Sequence, residues 1–167
     1  MSDQFQSNVD DILAANRAYA ERFPDGDLDV EPQRNLAVVA CMDTRLDLYQ
    51  ILGLANGDAH IIRNAGGAIT DDAIRSLALS QRALNTKEIV LVHHTNCGAG
   101  KITEDGFRAD LLADVGVTPT WAAESFADPY DDVRQSIRRL ELSPFVNSDY
   151  VSGFVYDVET GLLKSVE

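Results

Sequence analysis

Only three lysines stand among the 167 residues, and 14 basic side chains face 27 acidic ones, for a net charge of −13. That balance excludes nucleic acid as a partner, because phosphate binding needs Lys and Arg to displace counterions. An anionic ligand is still allowed, but its site must be made locally positive by a metal or an arginine against the field of the whole chain. Cysteine is as scarce, with two residues, which rules out both a disulfide scaffold and a four-cysteine structural zinc site. No run approaches the roughly 20 apolar residues of a membrane span. The opening stretch Met1–Ser7 lacks the basic region and apolar run of a secretory signal, so a cytoplasmic location is expected. There the two thiols stay reduced and read as metal ligands rather than as a disulfide. No internal repeat stands out. What is left, 45% hydrophobic and 25% charged residues, is the make-up of a globular protein. We expect one domain over residues 1–167, long enough to bury about 70% of its unfolded surface.

Hydrophobic periodicity lays out the elements. Val9, Ile12, Leu13, Tyr19, Ala20 and Phe23 recur at helical spacing over 8–23, and the acidic turn Pro24–Asp27 makes residues 1–27 a helical arm with its linker. Leu36–Cys41 is a continuous apolar run, the pattern of a buried parallel strand. A short helix over 46–54 ends at Gly53 or Gly57, and Ala59–Arg63 is a second strand. Thr70 is placed to cap a helix opening with Asp71 and Asp72, acids at the positive end of the helix dipole, with Ile74, Leu77, Ala78 and Leu84 as its apolar face. Ile89–His93 is a third strand. Helices are expected near 104–115 and 129–142, with Pro119 and Pro144 as breakers, then a strand over 150–157 and a hairpin turn at Glu159–Gly161 into 162–166. Alternating strand and helix implies an α/β domain with a mostly parallel central sheet, helices on its faces and a C-terminal edge hairpin.

Both cysteines follow strand ends, within Cys41-Met42-Asp43-Thr44-Arg45 and His94-Thr95-Asn96-Cys97-Gly98. In open α/β sheets ligands bind at that edge, where the strand order reverses. Two thiolates and one imidazole make a three-donor zinc site of the catalytic kind, with the fourth position left for water or substrate. Asp43, His60 and His93 are the other candidates for a fourth donor. Consecutive residues of a strand point to opposite faces, so His93 and His94 cannot both reach Cys41. Rival readings fail on spacing. Gly98–Thr103 puts Thr95 where a P-loop needs glycine and Ile102 where it needs Ser or Thr. Cys41–Arg45 is too short for a cysteine-phosphatase loop, and Arg63-Asn64-Ala65-Gly66-Gly67 is not a dinucleotide fingerprint.

The pattern C-x-D-[ST]-R followed by H-x-x-C-G, with Arg63–Gly67 between, resembles the β-class carbonic anhydrases, most of all their small bacterial and archaeal branch. The resemblance runs over most of the chain. It implies Zn2+ held by Cys41, His94 and Cys97, His93 standing behind the ligands. It implies catalytic roles for Asp43, which accepts a hydrogen bond from the attacking hydroxide, and Arg45, which holds Asp43. The same Asp43 can swing onto the metal as a fourth ligand in a closed state. The activity implied is reversible hydration of CO2 to bicarbonate. Gly66, Gly67, Leu46, Ala65 and Gly98 are candidates for the substrate pocket. A CS2 or COS hydrolase with the same metal set, and a bicarbonate-binding protein without turnover, are the alternatives. Family likeness also implies a homodimer or homotetramer, while the charge balance and the lack of an apolar span leave nucleic acid and membrane out of the expected partners.

Overall fold

The computed structural model describes residues 6–167; the first residues of the expected arm, and with them most of the Met1–Ser7 stretch, lie outside the described residues. Five strands form one sheet: β1 (Leu36–Cys41), β2 (Ala59–Asn64), β3 (Glu88–His94), β4 (Val151–Tyr156) and β5 (Leu163–Val166), in the order β2-β1-β3-β4-β5. The first four run parallel and β5 returns antiparallel to β4. The chain leaves β1 to one side for β2, then crosses back to lay β3 on the other. The switch point therefore falls between β1 and β3, whose C-terminal ends carry the two cysteine motifs.

Helices α3 (Asp71–Leu84) and α5 (Pro129–Leu142) cover one face. Leu77 and Leu140 pack there against Ala37, Val39, Ile89 and Leu91, every second residue of β1 and β3. Val38, Ala40 and Val92 point the other way, toward Leu46 and the short helix α2 (Leu48–Leu52). All six residues of β1 are buried, which is why it reads as an unbroken apolar run rather than as an alternating one. Thr70 caps α3 through Oγ1, which accepts from the Ala73 N–H at 3.3 Å.

Several boundaries differ from expectation. The second helix begins at Leu48 rather than Leu46, because the Asp47 carboxylate accepts from the Gln50 N–H and takes the cap position. It ends at Gly53, which supplies the left-handed φ of 61°. Strand β3 runs one residue further at each end than the apolar run, so His94 is a strand residue. The first helix, α1 (Val9–Ala20), stops short of Phe23 and buries no residue of its own. Helix α4 (Glu104–Val115) matches its expected span.

Candidate metal centre

The Cys41 and Cys97 sulfurs lie 3.8 Å apart. A disulfide needs about 2.05 Å, whereas two sulfurs each about 2.3 Å from one tetrahedral zinc stand about 3.8 Å from each other. The His94 ring completes the set: the three donor atoms lie within 4.8 Å of one another, all on buried residues. His94 Nδ1 donates to the Thr95 carbonyl at 2.9 Å, which fixes the tautomer and turns the Nε2 lone pair inward. That Nε2 is buried and has no hydrogen-bond partner among the described residues, a cost that a metal ion removes. Donor chemistry, spacing and the orphaned nitrogen all fit zinc.

Without a metal, electrostatics favour the ligating form at Cys41 and the protonated form at Cys97 and His94, so binding a cation there releases protons. The adjoining Cys97 thiol draws the Cys41 thiol down to about 4, against the opposing effect of burial. The same contact, together with burial, pushes the Cys97 thiol up. Burial works against charge on His94, yet the neighbouring Cys41 sulfur and the Thr95 carbonyl leave its pKa raised. Thiolate is the form that binds metal, so Cys41 is prepared as a donor.

Beside the donors, Arg45 takes hold of Asp43. Its Nε donates to Oδ1 at 2.8 Å, its Nη2 to Oδ2 at 2.7 Å, and its backbone N–H to Oδ1 at 3.0 Å. Nη2 also reaches the Asn96 carbonyl at 2.9 Å, tying the first motif to the second. Asn96 adopts a φ of 52° there, a backbone region that asparagine tolerates well. Asp43 Oδ2 lies 3.8 Å from His94 Nε2, within the site, yet Asp43 is not part of the three-donor group. The Arg45 guanidinium holds the Asp43 carboxyl well below the usual carboxylate range.

The middle motif acts on the first. Arg63 donates from Nε to the Cys41 carbonyl at 3.1 Å and from Nη2 to the Asp43 carbonyl at 2.6 Å, bracing the loop that carries both. Nothing in the residue types alone assigns Arg63 that task, although the motif around it was visible. His93 faces away from the donors, as strand alternation requires. It is fully buried, with Nδ1 3.0 Å from Asp132 Oδ2 on α5, close enough for an ion pair but out of line for a hydrogen bond. His60 is on β2, its Nδ1 2.8 Å from the Ser80 hydroxyl, and takes no part in the donor group.

A cavity of about 630 Å³ opens beside Cys41 and Asp43. Of the expected pocket residues, Ala65, Gly66 and Gly98 line it. Leu46 and Gly67 do not, and this corrects their placement. Leu46 is packed into the core behind the cysteines, 1% exposed. Gly67 turns its backbone against the end of β1: with a φ of 75°, a Cβ there would meet Cys41 N at 3.0 Å and Ala40 C at 3.1 Å. Ile62, Ala99, Ile102, Phe107 and Trp121 supply apolar walls that the motifs did not reveal. Phe107 and Trp121 come from α4 and the connection after it, where no short pattern announces a pocket.

Fold and donor set together define an α/β metalloenzyme with a zinc centre of the catalytic kind at its switch point. The carbonic anhydrase family model matches residues 36–127, which hold all three motifs. "Beta-carbonic anhydrase 1" of Mycobacterium tuberculosis is 52% identical over 159 residues, covering 95% of this chain and 97% of that one. The crystal structure of carbonic anhydrase from Streptococcus mutans superposes with a TM-score of 0.91 at 42% identity, covering 98% of this chain and all of that one. A protein of Acidianus named carbon disulfide hydrolase is 34% identical over 185 residues, covering 93% of this chain and 87% of its own. The chain belongs to the β-carbonic anhydrase family.

Proposed function

We propose that this protein catalyses the reversible hydration of CO2 to bicarbonate, with Cys41, His94 and Cys97 as its zinc ligands. The observation that carries the reading is the Asp43–Arg45 pair set against the three-donor group, with Asp43 Oδ2 3.8 Å from His94 Nε2. Zinc bound there lowers the pKa of water and so supplies a hydroxide nucleophile near neutral pH. Asp43 remains a carboxylate and is therefore an acceptor: it takes a hydrogen bond from the attacking oxygen and aims its lone pair at the carbon of CO2. Arg45 fills the other lone pairs of Asp43 and would hold it off a metal bound by the three donors. The apolar walls of the cavity hold CO2, which has no charge to satisfy. The product carries a negative charge that those walls do not stabilise, which favours its departure, and the proton from water passes to buffer.

The relative at 52% identity bears the name of a carbonic anhydrase and those named carbon disulfide hydrolase stand at 31–35%; that difference supports CO2 over CS2 or COS. The presence of both Asp43 and Arg45 supports turnover over mere bicarbonate binding. No described helix is long and apolar enough to cross a membrane, and a cytoplasmic enzyme is the reading we adopt. The exposed apolar side chains of α1 support assembly as a homodimer or homotetramer.

Purified protein should carry a single zinc ion per chain, and Cys41→Ser, His94→Ala and Cys97→Ser should each lose most of it while His93→Ala retains it. Stopped-flow assays of the zinc-loaded enzyme should show rapid CO2 hydration, with slower turnover of COS and CS2. Faster turnover of CS2 than of CO2, or metal lost from His93→Ala but kept by His94→Ala, would sink the reading.

A further inference from the structure

Between Val115 and Pro129 the chain forms neither helix nor strand. Connections in compact domains commonly run about 4–6 residues, and longer irregular ones tend to be functional. Part of this one, Trp121 to Glu124, forms a wall of the cavity beside Asp43. Four non-glycine residues among those described have positive φ, and three are asparagines; the fourth is Glu124, at 56°. Glutamate gains nothing from that conformation, and backbone of this kind persists only where its surroundings impose it.

The surroundings are specific. Arg139 of α5 meets Glu124 Oε2 at 2.9 Å from Nη1, and the same nitrogen donates to the Ile69 carbonyl at 3.3 Å. One residue before, the Ala123 N–H donates to Glu104 Oε1 of α4 at 2.9 Å. Two residues after, the Phe126 ring lies over Gly66 and Gly100, where a Cβ would meet it at 3.6 Å in each case. The segment is thus fastened on both sides of Glu124 and bent at it. A cavity of about 630 Å³ is many times larger than a triatomic guest, since a water molecule's share of the liquid is only about 30 Å³. Fit alone cannot hold CO2 in such a space. An apolar wall held in place along it can.

We propose that Glu124 and Arg139 are positioning residues that hold the Trp121–Phe126 segment as the outer wall of the cavity, so that loss of their ion pair lets the wall swing away, widens the cavity mouth and weakens capture of the apolar substrate. The effect on capture rests on the reading of this cavity as the CO2 site; the wall itself does not. Trp121 is the single tryptophan of the chain and lies in the segment, 56% exposed on the outer side and with its ring centroid 6.5 Å from that of Phe107 on the inner side. Its fluorescence therefore reports on the wall alone.

The test compares Arg139→Gln, Glu124→Ala, Glu124→Gly and the exchanged pair Glu124→Arg/Arg139→Glu, measuring acrylamide quenching of Trp121, zinc content and CO2 hydration kinetics. Arg139→Gln and Glu124→Ala should raise the quenching constant with zinc retained. They should also raise KM by roughly two- to fivefold, the span that a partly exposed ion pair can command, with the change in KM exceeding that in kcat. Glu124→Gly loses the pair but adopts the left-handed backbone freely, so it should fall between wild type and Glu124→Ala. The exchanged pair should recover part of the loss. Unchanged quenching and KM in Arg139→Gln, or Glu124→Gly as perturbed as Glu124→Ala, would overturn the proposal. A wild type that does not hydrate CO2 would defeat the functional reading while the order of quenching constants still judges the wall.

Discussion

Asp43 and Arg45 are two residues apart in sequence, and their side chains make a two-pronged pair in which both carboxylate oxygens accept. Because the folded-state pKa of Asp43 is depressed, the stabilisation it lends is fully present above the ordinary carboxylate value of about 3.9 and is lost only as pH falls through the depressed value. Across the assay window of about pH 6.5 to 9, Asp43 stays ionised, and any rise of rate with pH reports the formation of the nucleophile. Arg45→Ala frees Asp43 to take the metal and should lower CO2 hydration on the order of 10-fold or more with zinc retained. Asp43→Ala should also keep zinc but lose the acceptor. Hydration rates over that window, taken beside zinc content, check both, and near-wild-type rates in either variant would remove the pair from the mechanism. These residues were legible because the chemistry depends on residue types at short spacing. Arg63 was harder to read: its partners are backbone carbonyls, and a carbonyl leaves no mark on sequence.

Among the elements, the strands were the most legible, since burial on both faces forces runs of apolar residues such as Leu36–Cys41. Ends were less so. The apolar run of β3 stops at His93, but backbone pairing does not, and His94 stays in register opposite Tyr156 of β4. The turn after β2 was visible as Arg63–Gly67, yet the two glycines divide their work in a way that composition does not show. Gly66 faces the cavity and Gly67 faces the backbone of Ala40 and Cys41. Gly67→Ala would add a Cβ at 3.0 Å from a main-chain nitrogen, at a φ of 75°. We expect it to destabilise the fold by more than about 1 kcal/mol, measurable as a lowered midpoint of thermal unfolding, and to loosen zinc because Cys41 moves with the strand end. An unchanged midpoint would show that β1 yields there without cost.

For the molecule as a whole, the doubly covered sheet was readable from the alternation of elements, whereas what covers α1 was not. Its apolar positions are clear in sequence, but Val9, Ile12 and Leu13 remain 57%, 63% and 49% exposed. A stripe of that kind is unfavourable in water unless another surface covers it. Removing residues 1–23 should convert a dimer or tetramer to smaller species in sedimentation velocity at micromolar concentration. Zinc should be retained, because all three donors belong to β1, β3 and the loop after β3. Full-length protein that sediments as a fully active monomer would refute the assembly. The cavity walls from Phe107 and Trp121 were illegible for a related reason: they are contributed by one helix and one irregular segment outside the motifs, and only the packed fold brings them to the cavity beside Asp43.

The two neighbouring histidines of β3 also bear on how this gene can change. His93 and His94 face opposite sides of the sheet, one toward α5 and the other toward the sulfurs. Substitutions along β3 trade one buried side chain for another and are graded in their effect. Gaining or losing a single codon between Glu88 and His93 is different in kind. If the strand end stays anchored through Thr95, every face upstream inverts; if the strand start stays anchored, a gained codon brings His93 into the place of His94 beside the sulfurs, and a lost one puts Thr95 there and turns His94 toward α5. Length variation in descendants of this chain should therefore collect elsewhere, above all in the connections around Asn56 and Val117, and leave the count of residues in β3 untouched.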